Sequence, residues 1–508
     1  MGNRIGAWAW GLIFILAALP ARAQKYDLLL RGGQVVDPGS GVNARWDVAV
    51  SGDRIAAVQA NIPPSAARQV VDVSGLYVVP GLVDLHMHVF GLQGHIAADP
   101  NALPAGTTTI VDAGGSGWRT FDEFRRTVIA NSKTRVLVLL NIVGHGMVGE
   151  PYESDTADMD PAKTADCILR NRDVIVGIKT AHFAKPGYTA IDRAVEAGRL
   201  AHVPVMVDSH IFSNSERSSK DDLLVHLRPG DIHTHMYNDR QIELIDRFSR
   251  KVQPWMWEAR RRGVLFDVGH GGGSFLWPVA GPAVEQGFVP DTISTDLHAE
   301  SLRMQQSNMP NVMSKLMFLG MSFEDVLVRS TVNPAKAIAR YPELGTLGVG
   351  RVADIAVLEQ ETGSFVFKDA WPAKRLATHR LENVLTVRAG KIVFERRPRP
   401  APAQDATIYD LLIKHARLGD QSEADLGIIA GRVARIGRGL KAAQARVLVE
   451  AEGYRVLPAG LAAGAAADLQ LLDAGQVIMT VRAGKVMTDD LGLTIPDVSR
   501  AGPYSNYR

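Results

Sequence analysis

Between residues 81 and 300 the chain keeps one rhythm, a short apolar run followed by a helix-like segment. The runs are GLVDLH, GTTTIVDAG, RVLVLLNIVG, VIVGIK, VPVMVDSH, GDIHTH, GVLFDVG and PDTISTD. Short runs that are apolar throughout suit strands buried on both faces. Eight of them separated by helices predict an α/β architecture, a parallel (β/α)8 TIM-like barrel over residues 81–345. In such a barrel the C-terminal strand ends form the mouth of the site. Here those ends carry groups that bind cations. The first run closes on His86 and His88, which project from one face because strand residues two apart point the same way. Lys179 ends the fourth run, His210 the fifth, His233 and His235 the sixth, and Asp296 and His298 the last. A single His-x-His pair is a weak sign, and a lone buried lysine is commonly packed along its stem. An array of such groups, each near the end of a different run, is not an effect of composition and points to a metal site.

Strand signals flank this region. YDLLLRGGQVVD, DVAVSGDRIAAVQ and VVDVSGLYVVPG precede it, and DIAVLEQ and NVLTVRAGKIVFE come after it. Residues 24–80 and 346–395 are therefore expected to form one small composite β-sandwich into which the barrel is inserted. The proline-rich RRPRPAPAQ marks a linker at 396–404. Beyond the linker the chain repeats itself. YDLLIKHARLGD echoes YDLLLRGGQVVD, and TVRAGK occurs at 386–391 and again at 480–485. Residues 405–490 are expected to form a second β-sandwich-like unit without a barrel, with a tail at 491–508. Its one histidine is His415, so no catalysis is assigned to it.

The first 23 residues read as a signal peptide. Arg4 precedes an apolar core from Ile5 to Leu19, too short to span a bilayer comfortably, and Ala21-Arg22-Ala23 forms a cleavage pattern. The expected location is periplasmic or secreted, with no membrane span after cleavage. Lys and Arg number 56 against 54 Asp and Glu. The leader holds two of the basic residues and no acid, so the mature chain is neutral and offers no electrostatic case for nucleic acid. Cys167 is the only cysteine, which excludes an intrachain disulfide and a thiolate metal cluster.

The array resembles the amidohydrolase superfamily of metal-dependent hydrolases. YVVPGLVDLHMH and GTLGVGRVADIAVLE are similar to its hallmarks. DAGGSG, GIK, RPGDIHTHMYN, DVGHGGGSF and TISTDLH resemble its dihydroorotase-like deacetylase branch, over about residues 25–395. The resemblance implies two divalent ions, zinc foremost. His86 and His88 would hold the more buried ion and His210 and His235 the more exposed one. Lys179 would bridge both as a carbamate formed with CO2, and Asp296 would contact the metal as general acid and base. His233 competes with His235 for its role, and the T-H-x-Y-N context favours His235. Candidate substrate contacts are His182, His270, His298 and Asn238. The chain departs from the branch in KTAHF, where His182 stands in place of a frequent arginine, and in DSHIFSNSERSSKDD after the fifth run.

The expected function is an exported binuclear hydrolase that removes an acyl group from a small amide or ester. The partner is a small-molecule acylated substrate, and a homo-oligomer is compatible with the sequence. A cyclic-amide hydrolase of the dihydroorotase or hydantoinase type is one rival, and a binding protein with a degenerate barrel is another. A mononuclear deaminase has no need of the bridging lysine. Sequencing of the mature exported protein is expected to begin at Gln24; a membrane-bound protein that keeps Met1 would show the leader to be an anchor.

Overall fold

The structure is a computed structural model that describes residues 24–208, 217–239, 244–305, 307–370, 373–396, 409–419, 422–440, 445–457, 461–489 and 494–496. The leader and His210 lie outside the described residues. Before the barrel come β1 (Tyr26–Asp37), β2 (Val42–Ser51), β3 (Arg54–Gln59), β4 (Ala67–Asp72) and β5 (Tyr77–Pro80). The barrel strands are β6 (Leu82–Met87), β7 (Thr107–Gly117), β8 (Arg135–Asn141), β9 (Ile175–Thr180), β10 (Val205–Asp208), β11 (Ile232–Thr234) and β12 (Leu265–Phe266). After it come β13 (Ile355–Lys368), β14 (Lys374–Arg388) and β15 (Lys391–Glu395).

The flanking strands share one sheet in the order β15-β14-β13-β5-β1-β2-β3, with β4 also on β1. The two flanks meet at β5, which pairs with β1 on one side and β13 on the other. Alternation along these strands serves two cores. Leu28, Leu30, Val35, Val78, Ile355 and Val357 point into the core of the sheet's own unit. Their neighbours Val36, Val79, Ala356 and Leu358 pack into the barrel's core instead. With both faces covered, the strands read as continuous apolar runs.

Strands β6 to β12 lie side by side in sequence order, all parallel, as a curled sheet. The expected eighth strand, PDTISTD, is an irregular stave rather than a regular strand. It bonds to β12 through Asp291 N–H to Phe266 O, and to the residues beyond through Val268 N–H to Thr292 O and Gly271 N–H to Thr295 O. On its other side Asp296 N–H donates to His86 O, and His88 N–H donates to Leu297 O. Its regularity is lost because Asp296 sits at φ 46°, in the left-handed region. That turn swings the carboxylate into the barrel mouth.

The C-terminal unit contains β16 (Leu411–Arg417), β17 (Glu423–Ile429), β18 (Arg432–Gly437), β19 (Val447–Glu450), β20 (Arg455–Leu457), β21 (Leu469–Asp473), β22 (Gln476–Arg482), β23 (Lys485–Asp489) and β24 (Thr494–Pro496). Its path, β18-β17-β16-β20-β21-β22-β23 with β19 on β16, follows the path of the first sheet, with β24 added on β19. The same aspartates hold the same turns. Asp47 accepts from Gly32 N and Ile62 N, and Asp425 from His415 N and Leu440 N. Asp27 accepts from Gly52 N and Asp410 from Ala430 N. Asp354 accepts from Ala389 N and Asp468 from Ala483 N. The inner core is kept, with Leu411, Ile413, Val456, Leu469 and Leu471 in the places of Leu28, Leu30, Val78, Ile355 and Val357. The barrel-facing set is kept only in part: Val36 becomes Gly419 and Ala356 the exposed Gln470, while Val79 and Leu358 stay apolar as Leu457 and Leu472.

The two equivalent aspartates differ in one respect. Asp354 also takes Arg135 of β8 at 2.5 Å and Arg388 at 3.3 Å, and so ties the barrel floor to the sheet. Asp354 is buried and Asp468 exposed. Asp354→Ala strands a half-buried guanidinium and is expected to cost about 3 kcal/mol. Asp468→Ala is expected to cost about 1 kcal/mol or less. Denaturant unfolding of the two variants checks this, and equal losses would contradict the asymmetry.

Candidate metal site

His86 is the penultimate residue of β6 and His88 follows the strand by one position, so both rings reach the mouth. Their centres are 5.3 Å apart and both side chains are buried. The position of His88 is held from β7, where Asp112 Oδ2 accepts from Val89 N at 2.8 Å and Phe90 N at 3.2 Å. Asp296 Oδ1 lies 2.9 Å from His88 Nε2 and 3.4 Å from His86 Nε2. Two ligand atoms on one tetrahedral zinc stand about 3.4 Å apart, so these three donors have the spacing of ligands to a single ion. Among the described residues His86, His88 and Asp296 form the one cluster of buried histidine and carboxylate groups able to hold a metal.

The ring orientations support the same use. Thr234 Oγ1 has one proton and gives it to Asp267 Oδ2 at 2.7 Å. It must therefore accept from His86 Nδ1, 3.0 Å away, which leaves the His86 Nε2 lone pair facing the cavity. His235 Nδ1 donates to Gly269 O at 2.7 Å, and its Nε2 lies 3.5 Å from Asp208 Oδ2 on the cavity side. The His86 and His235 rings are 5.0 Å apart. Asp267 also accepts from Thr292 and Ser294 at 2.6 Å each, so its carboxylate ties β11 to the closing stave. Burial, with the Lys179 amine beside it, holds His86 in the neutral form that a ligand requires.

Burial pushes the Asp296 carboxyl up, but the imidazoles of His86 and His88 outweigh it and hold the group well below the usual carboxylate range. The glycine-rich run at 268–275 supplies the wall. A Cβ on Gly271 would stand 2.2 Å from Asp296 Oδ2, and one on Gly269 would stand 2.7 Å from His235 Nδ1. These glycines let the backbone touch the two cavity residues. Lys179 is wholly buried, with Nζ 3.2 Å from His86 Nε2, and burial lowers its pKa. Gly114 makes room for its stem, since a Cβ there would meet Lys179 Cγ at 2.7 Å.

Several groups fall elsewhere than their spacing suggested. His233 and His235 do not share a face. His235 takes φ 64°, so Thr234 and His235 both reach the cavity while His233 packs edge-on against Phe266 in the outer layer. Burial drops His233 to about 3. His270 does not face substrate: its Nδ1 donates to Gly271 O at 2.9 Å, its Nε2 meets Lys315 Nζ at 2.7 Å, and its ring stacks on Phe275. His298 is half-buried, 6.2 Å from the His88 ring, and remains at the mouth. Asn238 is buried and closes a turn through its backbone N–H to His235 O. His182 takes φ 54° and lies between two carboxylates, Glu153 Oε2 at 2.8 Å and Asp208 Oδ2 at 3.5 Å. Burial opposes its protonation, and these two carboxylates prevail and raise its pKa. Asp208 and Thr234 were missed from sequence, although Asp208 ends the VMVD run and Thr234 lies between two candidate histidines.

A profile of the amidohydrolase family matches residues 277–393. A deacetylase of Agrobacterium fabrum is 33% identical over 347 residues, which cover 65% of this chain and 83% of that protein. Among solved structures, an adenine deaminase superposes with a TM-score of 0.67 at 27% identity, over 73% of this chain and 100% of the other. A dihydroorotase does so with a TM-score of 0.64 at 28% identity, over 72% and 98%. The chain belongs to the amidohydrolase family and is a hydrolase of carbon–nitrogen bonds.

Proposed function

We propose that this metal-dependent amidohydrolase is an exported binuclear deacylase of small acylated compounds. The observation that carries this reading is the inward display of His86 Nε2, His88 Nε2 and Asp296 Oδ1, with His235 Nε2 and Lys179 Nζ at the same cavity. The identity with a deacetylase over 83% of that protein supports the acyl-transfer class. The leader supports export, and among the described residues no helix is long and apolar enough to cross a membrane.

His86, His88 and Asp296 would hold the inner ion, and His235 with His210 the outer one. A Lys179 carbamate would offer an oxygen to each, and burial, which lowers the Lys179 pKa, favours the free amine that adds CO2 with loss of a proton. Zinc suits a nitrogen and oxygen ligand set without sulfur. Bound cations would supply Lewis acidity toward water and the scissile carbonyl. Asp296 accepts the proton of the attacking water and returns it to the leaving nitrogen or oxygen. Its Oδ2 is seated against Gly271, which keeps the carboxylate oriented. Where the branch often carries arginine, His182 stands between Glu153 and Asp208, which raise its pKa and take up the positive charge that it can carry. That arrangement favours a substrate with less anionic character than an arginine site would select.

Thr234→Val leaves the His86 Nδ1 proton without an acceptor and is expected to weaken zinc binding about 10–100-fold, read by competition with a chelator. Unchanged affinity would remove the hydrogen-bond relay from the account. Lys179→Ala is expected to lose both metal and turnover, with partial return on adding short carboxylates; normal turnover without them contradicts the bridge. A screen of N-acyl amino acids, acyl esters and cyclic amides against zinc-loaded protein tests the class. Preferential opening of ring amides would shift the assignment to the dihydroorotase type.

A further inference from the structure

Lys315 has no part in the chemistry described above, yet it is wholly buried. It belongs to the Met309–Phe318 helix outside the barrel strands. Among the described residues no carboxylate lies within ion-pair distance of its amine. Nζ instead contacts His270 Nε2 at 2.7 Å and sits 5.6 Å from the centre of the Phe275 ring. A buried amine costs desolvation energy that a methionine would not, so packing alone does not account for a lysine here.

The contacts of His270 indicate its purpose. Its Nδ1–H donates to Gly271 O, and its ring lies on Phe275 at 4.9 Å and 12°. Gly271 N–H donates to Thr295 O, and the Gly271 backbone abuts Asp296 Oδ2. The far end of the loop is held by the β13–β14 turn, where Ala370 N–H donates to Phe275 O and Asp369 accepts from Trp277 N. We propose that Lys315 and His270 are positioning residues that clamp the 269–275 loop against Asp296 and so fix the direction of its carboxylate. This inference rests on the reading of Asp296 as the proton carrier.

Lys315→Met keeps the volume and removes the donor. Amide exchange in the peptide covering Gly269–Ser274 is expected to speed up about 10-fold, with peptides of β1 and β2 unchanged. The value of kcat is expected to fall about 10–100-fold, with KM within about 3-fold and zinc content intact. His270→Gln, which can still accept from Lys315 and donate to Gly271 O, is expected to keep most activity, whereas His270→Phe matches Lys315→Met. Should Lys315→Met fail to fold, the Lys315→Met/His270→Phe pair replaces both polar groups by apolar ones and is read in the same way. Unchanged exchange in the loop, or unchanged kcat in a folded variant, overturns the clamp. Loss of zinc together with kcat, without faster exchange in the loop, also overturns it, because the pair would then reach the ligands by a route other than the 269–275 loop. If the wild-type protein turns over no acylated compound, the deacylase reading fails by itself, and the exchange experiment still decides the clamp.

Discussion

For a hydrogen bond to aim an imidazole's lone pair at a cation, the proton on the other nitrogen must have an acceptor. In this barrel that requirement links three segments. His86 at the end of β6 gives its proton to Thr234 of β11, and Thr234 gives its own to Asp267, just past β12. Asp267 collects two further hydroxyls from the closing stave. The relay orients a ring and also spans the join where the parallel sheet closes on itself, so that closure and metal capability depend on the same hydrogen bonds. Its cost is a carboxylate buried among hydroxyls, whose pKa burial raises against the pull of those three donors.

Strain collects at the same level of the barrel. His182, His235 and Asp296 each follow or interrupt a strand with φ between 46° and 64°. For non-glycine residues this conformation is disfavoured and persists only where the surroundings enforce it. Each such turn redirects a side chain into the mouth that regular alternation would have sent elsewhere. Gly269 and Gly271 complete the arrangement by letting the seventh loop press against His235 and Asp296.

The barrel, its insertion point and the strand ends that carry cation-binding groups were legible because burial on both faces writes an uninterrupted apolar run, and each run stops where the mouth begins. What spacing could not give is direction. The period of two placed His233 beside His235, and a single left-handed residue reversed that pairing. His270 resembled a mouth histidine by position, but its partner Lys315 is 45 residues later on a helix whose pattern shows only a lysine among apolar residues. The hydroxyl and carboxylate partners of the rings, Thr234 and Asp267, are 33 residues apart and carry no signal until the fold brings them together. The duplicated unit was legible through TVRAGK, and its structure shows which half of the pattern endures without a barrel: the inner core and the aspartates that hold the turns.

The central claim is that His86, His88 and Asp296 surround one ion, with a second toward His235. Anomalous diffraction at the zinc edge from crystals grown with zinc measures this directly. The account predicts two peaks, the first at about 2.1 Å from His86 Nε2, His88 Nε2 and an Asp296 oxygen, and the second on the His235 side of Lys179. Ordered zinc elsewhere on the chain with no density among these residues would contradict it.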